Sequence, residues 1–194
     1  MATVDYHSLL REEFGKETDR AAVIVAASML DELLRTLLIA KLVPVSSSAD
    51  ELFDGANAPL GTFSSRIEMA YRTSLISVKF ARDLHLIRRV RNDFAHNIHG
   101  ASFDDTRVRQ RIAALDNSNG IFARSPITSS KMPTPREHFL EGVAWMLFHL
   151  ESQADKTLSL PACDEEWGYS YCGDGRYENE KPAPKTEVMS SDSS

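Results

Sequence analysis

The sequence predicts an all-α protein, folded as a single helical bundle around one long central helix. Two observations support this class. Apolar residues recur at helical spacing in six segments, and no segment shows the sustained alternation of apolar and polar residues that is typical of strands. The chain has 194 residues, of which 42% are hydrophobic and 26% are charged. That length and composition suit an ordinary globular domain with a short extension.

The central helix is predicted over residues 19–43, with Thr18 or Asp19 as its N-cap and Pro44 ending the run. A membrane-spanning helix is not expected here, because charged residues lie in the middle of the segment. The polar side chains of this middle part fall in one wedge of the helical wheel: Ser28, Asp31, Glu32 and Arg35. This placement predicts one solvated stripe on an otherwise buried helix.

Five shorter helices are predicted around the central one. Four of them cover residues 3–16, 62–76, 79–99 and 135–157. The last of these begins with an N-cap threonine and a proline at the first helical position. The fifth begins after Asp104 or Asp105 and turns Val108, Ile112 and Leu115 inward. Segments 44–61 and 116–134, rich in turn-forming and polar residues, are predicted to be loops.

Charge and composition divide the chain into a bundle domain over residues 1–160 and an acidic, disordered tail over residues 161–194. The net charge is −6, and residues 150–194 carry 4 basic and 10 acidic side chains, whereas residues 1–149 carry 18 of each. Two cysteines cannot build a disulfide framework, and the first thirty residues lack the layout of a signal peptide. We therefore expect a cytoplasmic protein.

The helix over residues 79–99 carries the most chemically suggestive side chains. They form a nitrogen-rich arc that runs from the edge of the apolar stripe, at Arg91, to its far side, at His96: Arg88, Arg91, Asn92, His96 and His99. The arc is either an ordinary solvated helix face or a binding surface for an anionic or macromolecular partner. Five residues of helix separate Arg91 from His96 by about 140°. Two copies about a two-fold axis would bring both residue types to one cleft, which predicts a homodimer.

The spacing Arg91-x4-His96, with Asn92 directly after the arginine, resembles the R-x4-H motif of the HEPN superfamily of all-α domains. Many members of that superfamily are dimeric, metal-independent ribonucleases. The resemblance implies that His96 transfers protons, that Arg91 stabilises the charged transition state and that Asn92 orients one of them. The residue types fit these roles, because histidine exchanges protons at neutral pH and arginine offers paired donors to phosphate oxygens.

A second resemblance covers roughly residues 5–155. The motifs Leu52-Phe53-Asp54-Gly55, Pro59-Leu60-Gly61 and Ser65-Arg66, followed by Tyr71, resemble the mannitol operon repressor family. The resemblance implies a small helical protein linked to repression of a sugar-alcohol operon. We assign the loop a structural role, carried by four residues: Phe53, Gly55, Pro59 and Gly61. Gly55 permits a positive φ and Pro59 fixes its own φ, while Leu52, Phe53 and Leu60 are expected to hold the loop on the bundle.

Two functions follow from these observations. The preferred one is a non-catalytic regulator that binds a protein or an RNA; the alternative is a HEPN-type ribonuclease that uses Arg91, Asn92 and His96. Sequence-specific DNA binding is not expected, because the chain is acidic and lacks a helix-turn-helix, a zinc finger or a basic arm. No P-loop, dinucleotide fingerprint or metal-ligand spacing occurs, so neither a cofactor nor a metal is expected.

Overall fold

The computed structural model describes Tyr6, Glu12, Phe14 and residues 17–45, 49–97, 100–115, 133–163, 168–171 and 177–180. Within these residues lie five helices: α1 (Asp19–Lys41), α2 (Phe63–Arg72), α3 (Val78–His96), α4 (Thr106–Ala113) and α5 (Pro135–Lys156). The predicted all-α class is therefore confirmed. The chain divides into two compact units, Met1–Leu160 and Pro161–Ser194.

Helix α1 is the centre of the bundle and contacts α2, α3 and α5. Its start is set by Thr18, whose side chain accepts a hydrogen bond from the backbone N–H of Ala21 at 3.2 Å. Small residues near the start and leucines near the end form its buried surface: Ala22, Val23, Ala26, Ala27, Leu30, Leu34, Leu37 and Leu38. The predicted central helix is therefore present, and Pro44 follows three residues after its end.

The predicted solvated stripe of α1 is wrong for two of its four residues. Ser28 and Glu32 are exposed, but Asp31 and Arg35 are only partly accessible. The segment after α1 covers them, because Asp31 pairs with Arg66 of α2 and Arg35 with Asp54 of the loop. Asp31 and Arg35 therefore mark contacts with charged side chains elsewhere in the chain.

Helix α3 buries its predicted apolar side chains Leu84, Ile87, Val90 and Phe94, but it ends at His96 rather than at residue 99. Asn97 is the C-cap and adopts an extended conformation, and Gly100 has a φ of +92°. A hydrogen bond of 3.2 Å from the backbone N–H of Gly100 to the carbonyl of Asn97 closes this turn. Ile98 and His99 lie outside the described residues.

The predicted end of α2 and the predicted cap of α4 also differ from the structure. Helix α2 stops at Arg72 instead of residue 76, since Ser74 has a φ of 60°, which is incompatible with a continuing helix. The inward positions predicted for α4, Val108, Ile112 and Leu115, are buried as expected. Asp105 precedes α4 but makes no side-chain capping bond to it, and instead accepts from the backbone N–H of Ser102 at 3.1 Å.

Three phenylalanines connect α3 and α5. Phe103, in the turn before α4, has its ring centroid 5.4 Å from Phe94 of α3 and 5.6 Å from Phe139 of α5. Tyr6 lies against the other end of α5, where burial and the Glu151 carboxylate raise the pKa of Tyr6 to about 12. Tyr6 and Phe14 are helical and buried as predicted, while Leu10 lies outside the described residues.

The second unit contains two four-residue strands, β1 (Gly168–Tyr171) and β2 (Tyr177–Glu180). They pair antiparallel, with Gly168 opposite Glu180 and Tyr171 opposite Tyr177. The sequence pattern does not predict these strands, because two stretches this short give no readable alternation even though tyrosine favours strands. Apart from residues 161–163, the rest of the predicted tail lies outside the described residues, as does most of the predicted loop over residues 116–134. In the parts described, no helix has the length and apolarity needed to cross a membrane.

Candidate functional site

An open cleft of about 330 Å³ lies between α1, the start of α2 and the middle of α3. We call it the cationic cleft. Its walls are formed by Ala27, Ser28 and Asp31 of α1, by residues 61–64, and by Arg88, Arg91 and Asn92 of α3. Three segments that are distant in the sequence thus meet here, and the predicted arginines of α3 face the start of another helix.

The wall provided by α3 presents two guanidinium groups and an amide. Arg91 is exposed, whereas Arg88 and Asn92 are half-buried. Arg91 Nη1 donates a hydrogen bond to Asn92 Oδ1 at 3.2 Å, which orients both side chains. Arg88 Nε is sealed from solvent and has no hydrogen-bond partner among the described residues. A buried donor without a partner is rare in folded proteins and calls for an acceptor.

The α1 wall holds one carboxylate, and that carboxylate is already paired. Asp31 Oδ1 accepts from Arg66 Nη1 at 2.8 Å, and Arg66 Nε donates to the carbonyl of Leu60, also at 2.8 Å. Burial raises the pKa of Asp31, while the charges of Arg66 and, more weakly, Arg91 act in the opposite direction. Because Arg66 balances Asp31, the positive charges of Arg88 and Arg91 are left largely uncompensated.

The start of α2 adds backbone donors to the opposite wall. Thr62 and Ser65 form a capping box, in which Thr62 Oγ1 accepts from the backbone N–H of Ser65 at 3.1 Å and Ser65 Oγ accepts from that of Thr62 at 3.3 Å. The first-turn amides of Phe63 and Ser64 make no hydrogen bond to any described residue. Such amides, with the helix dipole behind them, favour negative charge.

The loop that the sequence singled out supports this wall. Gly55 adopts a φ of +106°, as predicted, and Phe53 is buried beneath the Arg35 guanidinium, 5.4 Å from its ring centroid. Leu52 is 41% exposed, so the expectation that it packs on the bundle is wrong. The backbone carbonyl of Leu52 instead accepts from the N–H of Leu60 at 2.7 Å, which closes the loop.

Two further loop residues, Gly61 and Pro59, differ in whether they reach the cationic cleft. A Cβ at Gly61 would lie 3.1 Å from the carbonyl oxygen of Ala58, so any larger residue would force this close turn to shift by a few tenths of an ångström. Gly61 also lines the cationic cleft, whereas Pro59 is exposed and does not. The loop therefore brings its last residue to the cleft, in addition to the structural role predicted for it.

The structure brings together only part of the predicted site. Arg88, Arg91 and Asn92 meet in the cationic cleft, whereas His96 is exposed at the end of α3 and does not line it. Next to it, the carbonyl of Asn97 accepts a hydrogen bond from the Arg20 side chain, which fixes the end of α3 against α1. His99 lies outside the described residues.

Other basic side chains of the stretch over residues 79–111 are engaged elsewhere. Arg82 donates to the carbonyl of Ala114 at 3.2 Å, and Arg111 pairs with Asp93 and donates to the carbonyl of Arg89 at 3.1 Å. These bonds tie α4 to α3. The cationic character of the cleft therefore depends on two arginines rather than on the whole stretch.

Sequence analysis missed the α1 and α2 residues of the cleft. Ser28 and Asp31 were assigned to a solvated stripe, and Arg66 entered only as part of a family motif. The available signal was the presence of an aspartate and an arginine on otherwise apolar helices, since charges on such faces usually find partners. Among the residues that the structure describes, no three His, Cys, Asp or Glu side chains gather closely enough to hold a metal ion.

The structure is similar to a chain of the X-ray structure of the MtlR–HPr complex from Escherichia coli. The TM-score is 0.55 and the identity 18%, over 75% of this chain and 97% of that chain. At this identity the likeness establishes a shared helical fold, which is the fold that the family resemblance implied. No protein-family model and no curated protein sequence matches the chain.

Proposed function

We propose that this protein is a cytoplasmic regulator of the mannitol operon repressor type, which acts by binding a protein partner rather than by recognising an operator. The observation that carries the proposal is the uncompensated pair Arg88 and Arg91 on a face of α3. Support comes also from the shared fold, since the similar chain was crystallised in complex with a protein, HPr.

The chemistry of this face favours a partner with an acidic or phosphate-bearing surface. Exposed guanidinium groups steer such a partner and form bidentate bonds with carboxylate or phosphate. The face is too small for an extended DNA backbone, because only two arginines line the cleft and the chain has a net charge of −6. Arg91 and His96, both exposed, mark the part that a macromolecule can reach.

Reversing the charge of Arg88 and Arg91 together should weaken partner binding by at least about 100-fold, because two attractive charge contacts with the partner are replaced by repulsion. The measurement is isothermal titration of the full chain with HPr. The variant Arg107→Glu/Arg109→Glu is the matched control, since it makes the same charge change on exposed residues of α4. If HPr fails to bind the wild type, or binds both double variants equally, the proposal is wrong.

We also retain the ribonuclease candidate, because the three residue types that it needs are accessible on one helix. His96 and Arg91 are exposed, and Arg91 is already bonded to Asn92. In this proposal Arg91 stabilises the transition state and His96 transfers the proton. Since about 140° of helix rotation separates them, the active form is a homodimer in which one copy's Arg91 faces the other's His96.

RNA cleavage that persists in EDTA should fall by about 100-fold or more in His96→Ala, because proton transfer by a positioned side chain is lost. His85→Ala is the matched control: His85 lies on the same helix, and its ring nitrogen pairs with Glu68 at 3.0 Å. Sedimentation of the wild type should give a dimer. Wild-type protein that is inert on RNA, or equal activity in the two variants, would remove this candidate.

A further inference from the structure

We infer that the cationic cleft binds a small phosphomonoester, whose phosphate group is held by Arg88, Arg91 and the first-turn amides of α2. This ligand site goes beyond the proposed protein partner, because it is a property of the isolated chain. Three independent observations converge on it: a cleft of about 330 Å³, a buried donor on Arg88 that has no described partner, and a helix N-terminus on the facing wall.

The donor set selects phosphate over a neutral or cationic group. The guanidiniums of Arg88 and Arg91 and the amides of Phe63 and Ser64 can only donate hydrogen bonds. A phosphate dianion offers oxygens to both walls at once, and helix N-termini and arginines are the protein groups best suited to it. The one carboxylate of the cleft, on Asp31, is already paired with Arg66 and therefore repels an anion less.

The size and the remaining walls select a phosphorylated small molecule over free phosphate. A volume of about 330 Å³ lies at the lower end of small-molecule sites and corresponds to roughly ten water molecules. Away from the arginines, the walls are formed by Ala27, Gly61 and Phe63, which offer carbon surface and close backbone approach. The hydroxyl of Ser28 and the amide of Asn92 are placed to contact hydroxyl groups of a short polyol or sugar.

The site can be blocked without changing a charge. Ser28 lies on the α1 wall, is exposed, and donates its hydroxyl only to the carbonyl of Ile24, at 2.9 Å. Phenylalanine at this position would fill the cleft and leave every charged side chain of the protein in place. Thr36 is the matched control, since it is exposed on the same helix, donates to the carbonyl of Glu32 at 3.1 Å and does not line the cleft.

The test is NMR titration of the full chain, following the Nε–Hε signal of Arg88, with glucose 6-phosphate, glycerol 3-phosphate, inorganic phosphate and glucose as probes. We expect the two phosphomonoesters to shift this signal, with dissociation constants at least 10-fold below that of inorganic phosphate, and glucose to leave it unchanged. Ser28→Phe should abolish the shift and Thr36→Phe should retain it. HPr binding to the wild type is measured separately, with no phosphomonoester present, so that failure of this site and failure of the proposed function are distinguishable.

Three outcomes would overturn the inference. The first is that neither phosphomonoester moves the Arg88 signal at millimolar concentration. The second is that inorganic phosphate binds as tightly as both esters, which would indicate an adventitious ion only. The third is that Ser28→Phe and Thr36→Phe respond alike although circular dichroism shows both to be folded, since the bound anion would then lie outside the cleft.

Discussion

Replacing Arg66 by methionine should lower the free energy of unfolding by about 3 kcal/mol, because the Asp31 carboxylate would lose the partner that compensates its charge. Arg66 is only 9% exposed and makes two hydrogen bonds of 2.8 Å, to Asp31 of α1 and to the carbonyl of Leu60. It therefore joins the central helix, the loop and α2 at one point. Methionine keeps the packing volume but leaves the carboxylate and the carbonyl without their donor.

Urea unfolding of two further variants measures how much of the lost free energy of unfolding comes from breaking the Asp31–Arg66 ion pair. Arg35→Met breaks the exposed pair with Asp54 and the contact with the Phe53 ring, and should cost about 1 kcal/mol or less. The double variant Arg66→Met/Asp31→Leu removes both charges and should recover much of the stability lost in Arg66→Met. Equal losses for Arg66→Met and Arg35→Met would contradict the proposed role of the Asp31–Arg66 pair.

The same pair connects stability to the candidate site. With Arg66 absent, Asp31 would present an unpaired carboxylate to the cationic cleft, opposite Arg88 and Arg91. The two arginines would then be partly neutralised from within the protein. Arg66 thus keeps the cleft positive, because it neutralises the Asp31 carboxylate. The same ion pair also holds α1 to α2.

Local chemistry made the helices predictable from the sequence. Thr18 and Thr134 act as N-caps, and Pro44 and Pro135 lie just beyond one helix and at the start of another. These effects depend on neighbouring residues, so a single sequence contains them. The helix ends were less well predicted, because Ser74 and Asn97 leave the helical conformation without the glycine or proline that usually marks such a point.

The candidate site was only half predictable for a different reason. The arc of α3 follows from 3.6-residue periodicity alone, so Arg88, Arg91 and Asn92 were identified together. The facing wall depends on a contact between residues 31 and 66, which are 35 positions apart in the sequence. Periodicity assigns a residue to a face of its own helix and does not state what covers that face. The position of His96 outside the cleft likewise follows from packing, since the start of α2 meets α3 beside Arg88 and Asn92, one turn or more before His96.

Replacing Phe139 by alanine should give the largest loss of stability, about 3–5 kcal/mol, because a fully buried aromatic ring leaves a cavity that the bundle cannot close. Its ring contacts Phe103, which in turn contacts Phe94 of α3. Phe103 follows the turn at the end of α3, so loss of this contact should also loosen the region beside His96. Amide hydrogen exchange should therefore become faster at residues 94–97 and change little in α2.

The same helix provides the control for this prediction. Phe148 lies on α5 as well, is 37% exposed and contacts only the exposed ring of Trp145 among the described aromatic residues. Phe148→Ala should therefore cost less than about 1 kcal/mol, because little buried surface is lost and no closed cavity forms. If thermal and urea unfolding showed that Phe139→Ala and Phe148→Ala lose equal free energy of unfolding, the buried Phe139 ring would not be a main contributor to the stability of the core. The Arg20–Asn97 contact would then make the larger contribution to holding the end of α3, with His96 on it.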